Sequence, residues 1–271
     1  MMRLRNRLYT LRHKAMAHAL SGVAPYRVVN EFPKSGGTWL TLMLSDALDL
    51  PFRRNEPLRI EPALVHGHFL RPGTLRNVVV LWRDPRDLIV SLYHHCFFVS
   101  EFDDVLFGNR AIVARMRGTL PFKDYDDVRA NLPAFIRFIS ETPVVPRFTW
   151  PRFVDRWAGR AGTVQTHYEA LRADTPAELA RVVTALTGTA SDSSRMASIA
   201  EARSFPRAKA EAERHLPKGA RSFVRSGSVG GWRDSFNDEA HAMLTRYGYD
   251  AAMRKLGYQP HSQGLSDKTS V

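Results

Sequence analysis

Three apolar runs stand out along the chain, Val28–Phe32, Val78–Trp82 and Val164–His167, and each gives way to positions spaced for a helix. Runs this short and continuous read as buried strands, and strand-then-helix alternation predicts a parallel sheet with crossover helices. The expected fold class is α/β, a three-layer sandwich around a mostly parallel central sheet. Leu40, Leu42, Met43 and Leu44 mark the first helix after a strand. The helix after the second strand has a clear start, with Asp84 as N-cap and Pro85 at its first position. A later helix is predicted to begin at Thr175-Pro176-Ala177-Glu178, which combines capping-box spacing with proline in the first turn. Tyr247-Gly248-Tyr249 and Lys255-Leu256-Gly257-Tyr258 read as helix ends with glycine at the C-cap.

The flanks differ from this pattern. Leu4, Leu8, Leu11 and Ala15 fall at helical spacing among Arg3, Arg5, Arg7, Arg12 and Lys14. This predicts a basic amphipathic helix within residues 1–27, packed on the domain or laid against a membrane surface or acidic partner. Residues 28–259 form the predicted domain, and the polar stretch 260–271 is expected to be disordered. Ser100–Asp127 mixes charges and aromatics with Gly108 and Gly118, reads as irregular, and is long for a connection. It is expected to be a functional insertion or a lid.

At 271 residues and 44% apolar or aromatic, the chain can bury one sizeable core. Cys96 is the sole cysteine, which excludes an internal disulfide and a four-cysteine zinc site and suits a reducing, cytoplasmic setting. The basic N-terminal stretch has no continuous apolar core and so is neither a secretory signal nor a membrane span. A net charge of +12 calls for an anionic partner without choosing among nucleotide, nucleic acid, glycan or membrane surface.

The chemistry concentrates in two segments. Phe32-Pro33-Lys34-Ser35-Gly36-Gly37-Thr38-Trp39 joins a strand to a helix through adjacent glycines. Such a turn brings backbone N–H groups and a helix N-terminus to an anion, with Lys34 and Thr38 as side-chain donors. No Gly-Lys-Ser/Thr closes the loop, so it is not the usual triphosphate loop. In Arg83-Asp84-Pro85-Arg86-Asp87, Arg83 stands at the carboxyl end of a strand, with Ser91 about two helical turns on. An arginine fork plus a hydroxyl suits a terminal phosphate, and a capped helix with an Arg83–Asp84 ion pair is the structural alternative. His94, His95 and Cys96 lack helical spacing for a shared ion and are read as structural. Asp103, Asp104, Asp124, Asp126 and Asp127 are read as solvated charges.

Taken together in this order, the two segments closely resemble the cytosolic-type sulfotransferases, which use 3′-phosphoadenosine 5′-phosphosulfate (PAPS). Phe223-Val224-Arg225-Ser226-Gly227 with Gly231-Trp232, Phe153 with Trp157, and Gln165-Thr166-His167-Tyr168-Glu169 extend the resemblance from about Val28 to Phe236. It implies a P-loop nucleoside-kinase-like fold and O-sulfation of an acceptor hydroxyl, with 3′,5′-diphosphoadenosine as product and no metal. By the same resemblance, Lys34 binds the 5′ phosphosulfate and stabilises the leaving phosphate. Ser35, Gly36, Gly37 and Thr38 cradle that phosphate, and Trp39 stacks on adenine. Arg83, Ser91 and Arg225 hold the 3′ phosphate with Ser226 and Gly227, and Tyr168 contacts the adenine side.

In His66-Gly67-His68, His68 aligns with the family's acceptor base, and a neutral imidazole there can remove a proton. Three positions depart from the family pattern: Gly37 stands for threonine, Ser226 for lysine, and His66 for lysine. The alternatives are a nucleotide kinase or NTPase, and a basic anion-binding protein with a vestigial nucleotide site. No nucleic-acid motif is present. The acceptor, a small molecule, glycan or glycolipid, is expected to meet Arg53–Glu61 and Ser100–Asp127. There Phe97, Phe98, Phe102, Phe107, Phe122 and Tyr125 either line a pocket or complete the core.

Overall fold

The computed structural model describes residues 11–19, 21–22, 26–53, 61–99, 109–214, 216, 220–222 and 226–261. Four strands, β1 (Tyr26–Glu31), β2 (Ala63–Gly67), β3 (Val78–Trp82) and β4 (Thr163–His167), pair in parallel in the order β2-β1-β3-β4. The predicted runs supply β1, β3 and β4. The strand that the pattern did not reveal is β2, whose apolar stretch is only Ala63-Leu64-Val65.

Alternating side chains of the strands feed two cores. Tyr26, Val28, Val78, Val80 and Trp82 face α3 (Pro85–Phe97), α5 (Val128–Glu141), α6 (Trp150–Trp157), α11 (Asp238–Arg246) and α12 (Tyr249–Lys255). Val29, Leu64, Val79 and Leu81 face α2 (Gly37–Leu48), α7 (Tyr168–Ala173), α8 (Thr175–Thr187) and α9 (Ser193–Ala202). Burial on both faces explains the apolar runs of β1 and β3, whereas β4, at the sheet edge, buries only Thr166 and does not bear out the buried-strand expectation for Val164–His167. The three-layer α/β sandwich is therefore as expected.

Several local expectations change. Asp84 caps α3 by accepting from Arg86 N, as predicted. The α8 cap is Asp174 rather than Thr175: its carboxylate accepts from Ala177 N, while Thr175 Oγ1 donates to Leu171 O and Glu178 binds Thr166 and Arg181. A carboxylate caps as well as a hydroxyl, and with Ala177 at the third helical position the predicted capping box does not form. Residues 11–19 are helical (α1), but the face that packs carries His13, Met16 and Ala17, with the His13 and His18 rings on Phe69. Leu11, assigned to the apolar stripe, is 66% exposed, and Leu4 and Leu8 lie outside the described residues.

The stretch read as irregular contains α4 (Asn109–Thr119), held against α3. Phe97, Phe122 and Tyr125 pack with Tyr93, and Phe97 also with Phe135, so they complete the core. Phe98 lies under the Arg221 guanidinium; Phe102, Phe107, Asp103 and Asp104 lie outside the described residues. Among the described residues, α10 (Phe205–Arg214) and a 3-10 turn at Gly231–Asp234 follow α9. Gly248 and Gly257 follow the last turns of α11 and α12 in the left-handed region, as expected of helix ends. No helix among the described residues is long and apolar enough to cross a membrane.

One buried clamp fixes the chain after β2. Asn30, in the central strand, donates to Phe69 O (3.1 Å) and accepts from Phe69 N (2.7 Å), while Trp157 Nε1 donates to the same carbonyl at 2.7 Å. Replacing Asn30 by alanine leaves the Phe69 N–H buried without its acceptor. It is expected to lower stability by about 1–3 kcal/mol, read as a lower urea midpoint at unchanged slope; an unmoved midpoint would contradict the clamp.

Candidate functional site

The chain leaves β1 for α2 toward β2, whereas β3 continues through its helices toward β4 on the other side. The carboxyl ends of β1 and β3 thus adjoin where strand order reverses, the place at which open α/β sheets bind ligands. Both chemically distinctive segments begin there. After β1, the Ser35 hydroxyl and amide both donate to Phe32 O, closing a tight turn and engaging that hydroxyl internally. Lys34 takes the left-handed backbone region (φ 79°), and Gly36 follows at φ 101°. A side chain at Gly36 would lie 2.8 Å from the Tyr168 ring, so the loop can pass Tyr168 only as glycine.

The α2 N-terminus offers its first amides. The Gly37 N–H donates to Glu31 Oε2 (2.5 Å) and the Leu40 N–H to Gly36 O. Among the described residues this leaves the amides of Thr38 and Trp39 as open donors. The Trp39 ring packs on the Tyr168 edge at 5.9 Å and its Nε1 donates to Arg203 O.

Arg83 ties three distant segments together. It does not pair with Asp84, which instead forms an ion pair with Arg86 at 2.7 Å. Arg83 Nη1 donates to Lys34 O (2.9 Å), Nη2 to Ser228 O (3.3 Å), and its guanidinium lies over the Tyr168 ring at 4.4 Å. Its Nε is buried with no acceptor among the described residues. Tyr168 OH donates to Gly227 O, and Asp87 accepts from Gly230 N and Trp232 N, which seats the Gly227–Trp232 segment on α3. Ser226 is exposed, its hydroxyl 3.0 Å from that of Ser228; Arg225 lies outside the described residues. Glu169 accepts from Asp84 N and Tyr258 OH, bracing the turn that aims Arg83.

Asp87, Ser91 and His95 recur every four residues along α3, and so share one face. Asp87 meets the Gly230–Trp232 segment. Burial drives the His95 imidazole down to about 3, with the Lys34 charge and His68 adding to the effect. Ser91 lies half-buried between them on that face. His95, expected to be structural, sits on the same α3 face as Asp87 and Ser91.

The other wall is histidine-rich. His68 Nδ1 lies 3.0 Å from Glu31 O, an acceptor only, so Nδ1 carries the proton and Nε2 the lone pair. Burial, reinforced by His66, lowers His68 to about 4 and keeps it neutral at physiological pH. Glu31, which in the sequence merges into an apolar run, sits buried beside it and bonds His66 Nε2 at 3.0 Å. Burial pushes its carboxyl upward, but the His66 bond, both imidazoles and the Gly37 N–H outweigh this and hold it below the ordinary range. Glu31, His66 and His68 each place one ligand atom within 4.8 Å of the others, an arrangement able to hold a metal ion.

The same pair explains the glycine at position 37. A Cβ there would lie 2.4 Å from Glu31 Cδ and 2.5 Å from His66 Nε2. The space that a threonine side chain would need at this position is filled by the Glu31–His66 pair, and the Gly37 amide, expected to serve a phosphate, serves Glu31. Gly37→Ala is expected to destabilise the fold by about 1–3 kcal/mol, and much less in a Glu31→Ala background. Equal costs in both backgrounds, measured by chemical denaturation, would contradict this coupling.

Neither a protein-family model nor a curated protein sequence matches the chain. Solved structures do. Mouse sulfotransferase SULT7A1 complexed with PAP superposes with a TM-score of 0.63 at 18% identity, covering 91% of this chain and 90% of that one. Retinol dehydratase with androsterone and the inactive cofactor PAP gives 0.61 at 18%, covering 90% and 86%. Retinol dehydratase with retinol and PAP gives 0.58 at 19%, covering 88% and 86%. At this identity the likeness shows a shared fold.

Proposed function

We propose that the chain transfers a sulfuryl group from PAPS to an acceptor hydroxyl. The observation that carries this reading is Arg83, whose bonds join the Lys34 loop to the Gly227–Ser228 segment while its own Nε stays buried without an acceptor. A buried arginine donor beside open helix amides calls for an anion with more than one phosphate-like group. The similar structures, crystallised with PAP, hold that kind of ligand on the same fold.

In this reading PAPS supplies an activated sulfuryl group on a phosphate leaving group. Lys34 and the amides of Thr38 and Trp39 meet the charge that grows on the leaving oxygen. His68 Nε2 takes the proton of the acceptor hydroxyl as its oxygen attacks sulfur in line and the sulfur–phosphate oxygen bond breaks. Arg83 and Ser91, with the segment that begins at Ser226 and Gly227, hold the 3′ phosphate; Arg225 is assigned there by the sequence resemblance alone. Trp39 and Tyr168 flank the adenine. A hydroxyl-bearing apolar molecule is the favoured acceptor class, since two of the similar structures hold androsterone and retinol.

Labelled PAPS offered with panels of phenols, sterols, sugars and glycolipids should give a sulfated product by mass spectrometry. The absence of both product and calorimetric binding of diphosphoadenosine would end the proposal. Arg83→Ala should weaken diphosphoadenosine binding by about 2–5 kcal/mol, whereas Arg207→Ala, in an exposed surface ion pair, should not. Equal affinities in the two variants would remove Arg83 from the site.

A further inference from the structure

We infer that Glu31, His66 and His68 form a binding site for a divalent transition-metal ion of the zinc or cobalt class. Strand pleating puts the three on one face. Glu31 shares a face with Val29, Val29 pairs with His66, and His68 is the next residue on the His66 side. A tetrahedral ion with bonds of about 2.0–2.2 Å holds its donor atoms roughly 3.3–3.5 Å apart. Glu31 Oε1 and His66 Nε2 already stand 3.0 Å apart, and the three ligand atoms all fall within 4.8 Å.

The surroundings are those of a metal site. The bond of His68 Nδ1 to Glu31 O fixes the ring and leaves Nε2 unprotonated, and the Gly37 N–H orients the Glu31 carboxylate. The His66 and His68 rings cross nearly at right angles, 5.3 Å apart, with Phe52 walling the outer side of His66. The missing Cβ at Gly37 leaves room for the Glu31 and His66 donor atoms, which a side chain there would meet at 2.5–2.7 Å. Two imidazoles and one carboxylate suit zinc, cobalt or copper over magnesium or calcium. Three protein ligands leave a fourth position for water. The nearby Lys14 charge opposes a dication and lowers the affinity without removing a ligand.

The binding is independent of the sulfuryl-transfer reading. If that reading holds as well, an ion that takes the His68 lone pair also withdraws the base. The test therefore reads binding, not activity. Tag-free, chelator-stripped protein is titrated with Co²⁺ and followed by visible absorption. The expected result is one equivalent bound, with the intense bands of a tetrahedral site that Zn²⁺ then displaces. Glu31→Gln and His66→Ala should each weaken it by about 100-fold or more, with circular dichroism confirming that each is folded. His261→Ala, at an exposed imidazole stacked on His241, should leave it unchanged. No stoichiometric binding, or binding that survives in Glu31→Gln and His66→Ala alike, would overturn the site. Should His66→Ala not fold, the near-isosteric Glu31→Gln decides alone.

Discussion

Removal of the imidazole at position 68 should lower kcat for sulfuryl transfer by about 10²–10⁴-fold, with diphosphoadenosine affinity unchanged. Two features give His68→Ala this profile. The Glu31 carbonyl holds the Nδ1 proton, so Nε2 is the only lone pair on the ring. Burial keeps the imidazole neutral, so the base form needs no deprotonation at physiological pH. The proposed nucleotide contacts are Arg83 and the Thr38 and Trp39 amides, whereas the hydrogen bond of His68 runs to the Glu31 carbonyl. A His68→Ala enzyme with full turnover would remove the base. One that lost turnover and diphosphoadenosine binding together would place His68 in the loop's architecture instead.

The parts of the fold legible from sequence were those whose signal is local. Val78–Trp82 reads as a strand because it is buried on both faces, and Asp84-Pro85 reads as a helix start because cap and first residue adjoin. Lys34 and Arg83 stood out because a lysine before paired glycines and an arginine at a strand end are chemically unusual. What escaped depends on contacts far apart in the chain. Glu31 looks like an interruption in an apolar run until β2 lays His66 beside it, 35 residues on. The strand order alone makes Arg83 a partner of the Lys34 carbonyl rather than of Asp84. In α1, the leucine and alanine periodicity pointed to one face, while the fold seated His13 and His18 on Phe69 and buried Ala17. Periodicity reports a stripe; which stripe is covered depends on the surface that receives it.

Lys34 carries the second large effect. Lys34→Met should reduce kcat by about 10²–10³-fold, with a smaller loss of diphosphoadenosine affinity. The Lys34 charge acts on the ionisation of His95 and Cys96 on α3, and in the proposed reading its ammonium group meets the charge on the leaving oxygen. Because Lys34 sits at φ 79°, its backbone is held in a region that costs a side chain about 1–2 kcal/mol. A methionine keeps that strain and removes only the charge. Lys34→Gly removes both, and should therefore gain up to about 1 kcal/mol of stability while losing as much turnover as the methionine variant. Stability and activity moving in opposite directions in the glycine variant would separate the ammonium group from the loop that presents it. If Lys34→Gly kept near-normal turnover, the rate would depend on the loop's shape alone, and the proposed stabilisation of the leaving phosphate by lysine would fail.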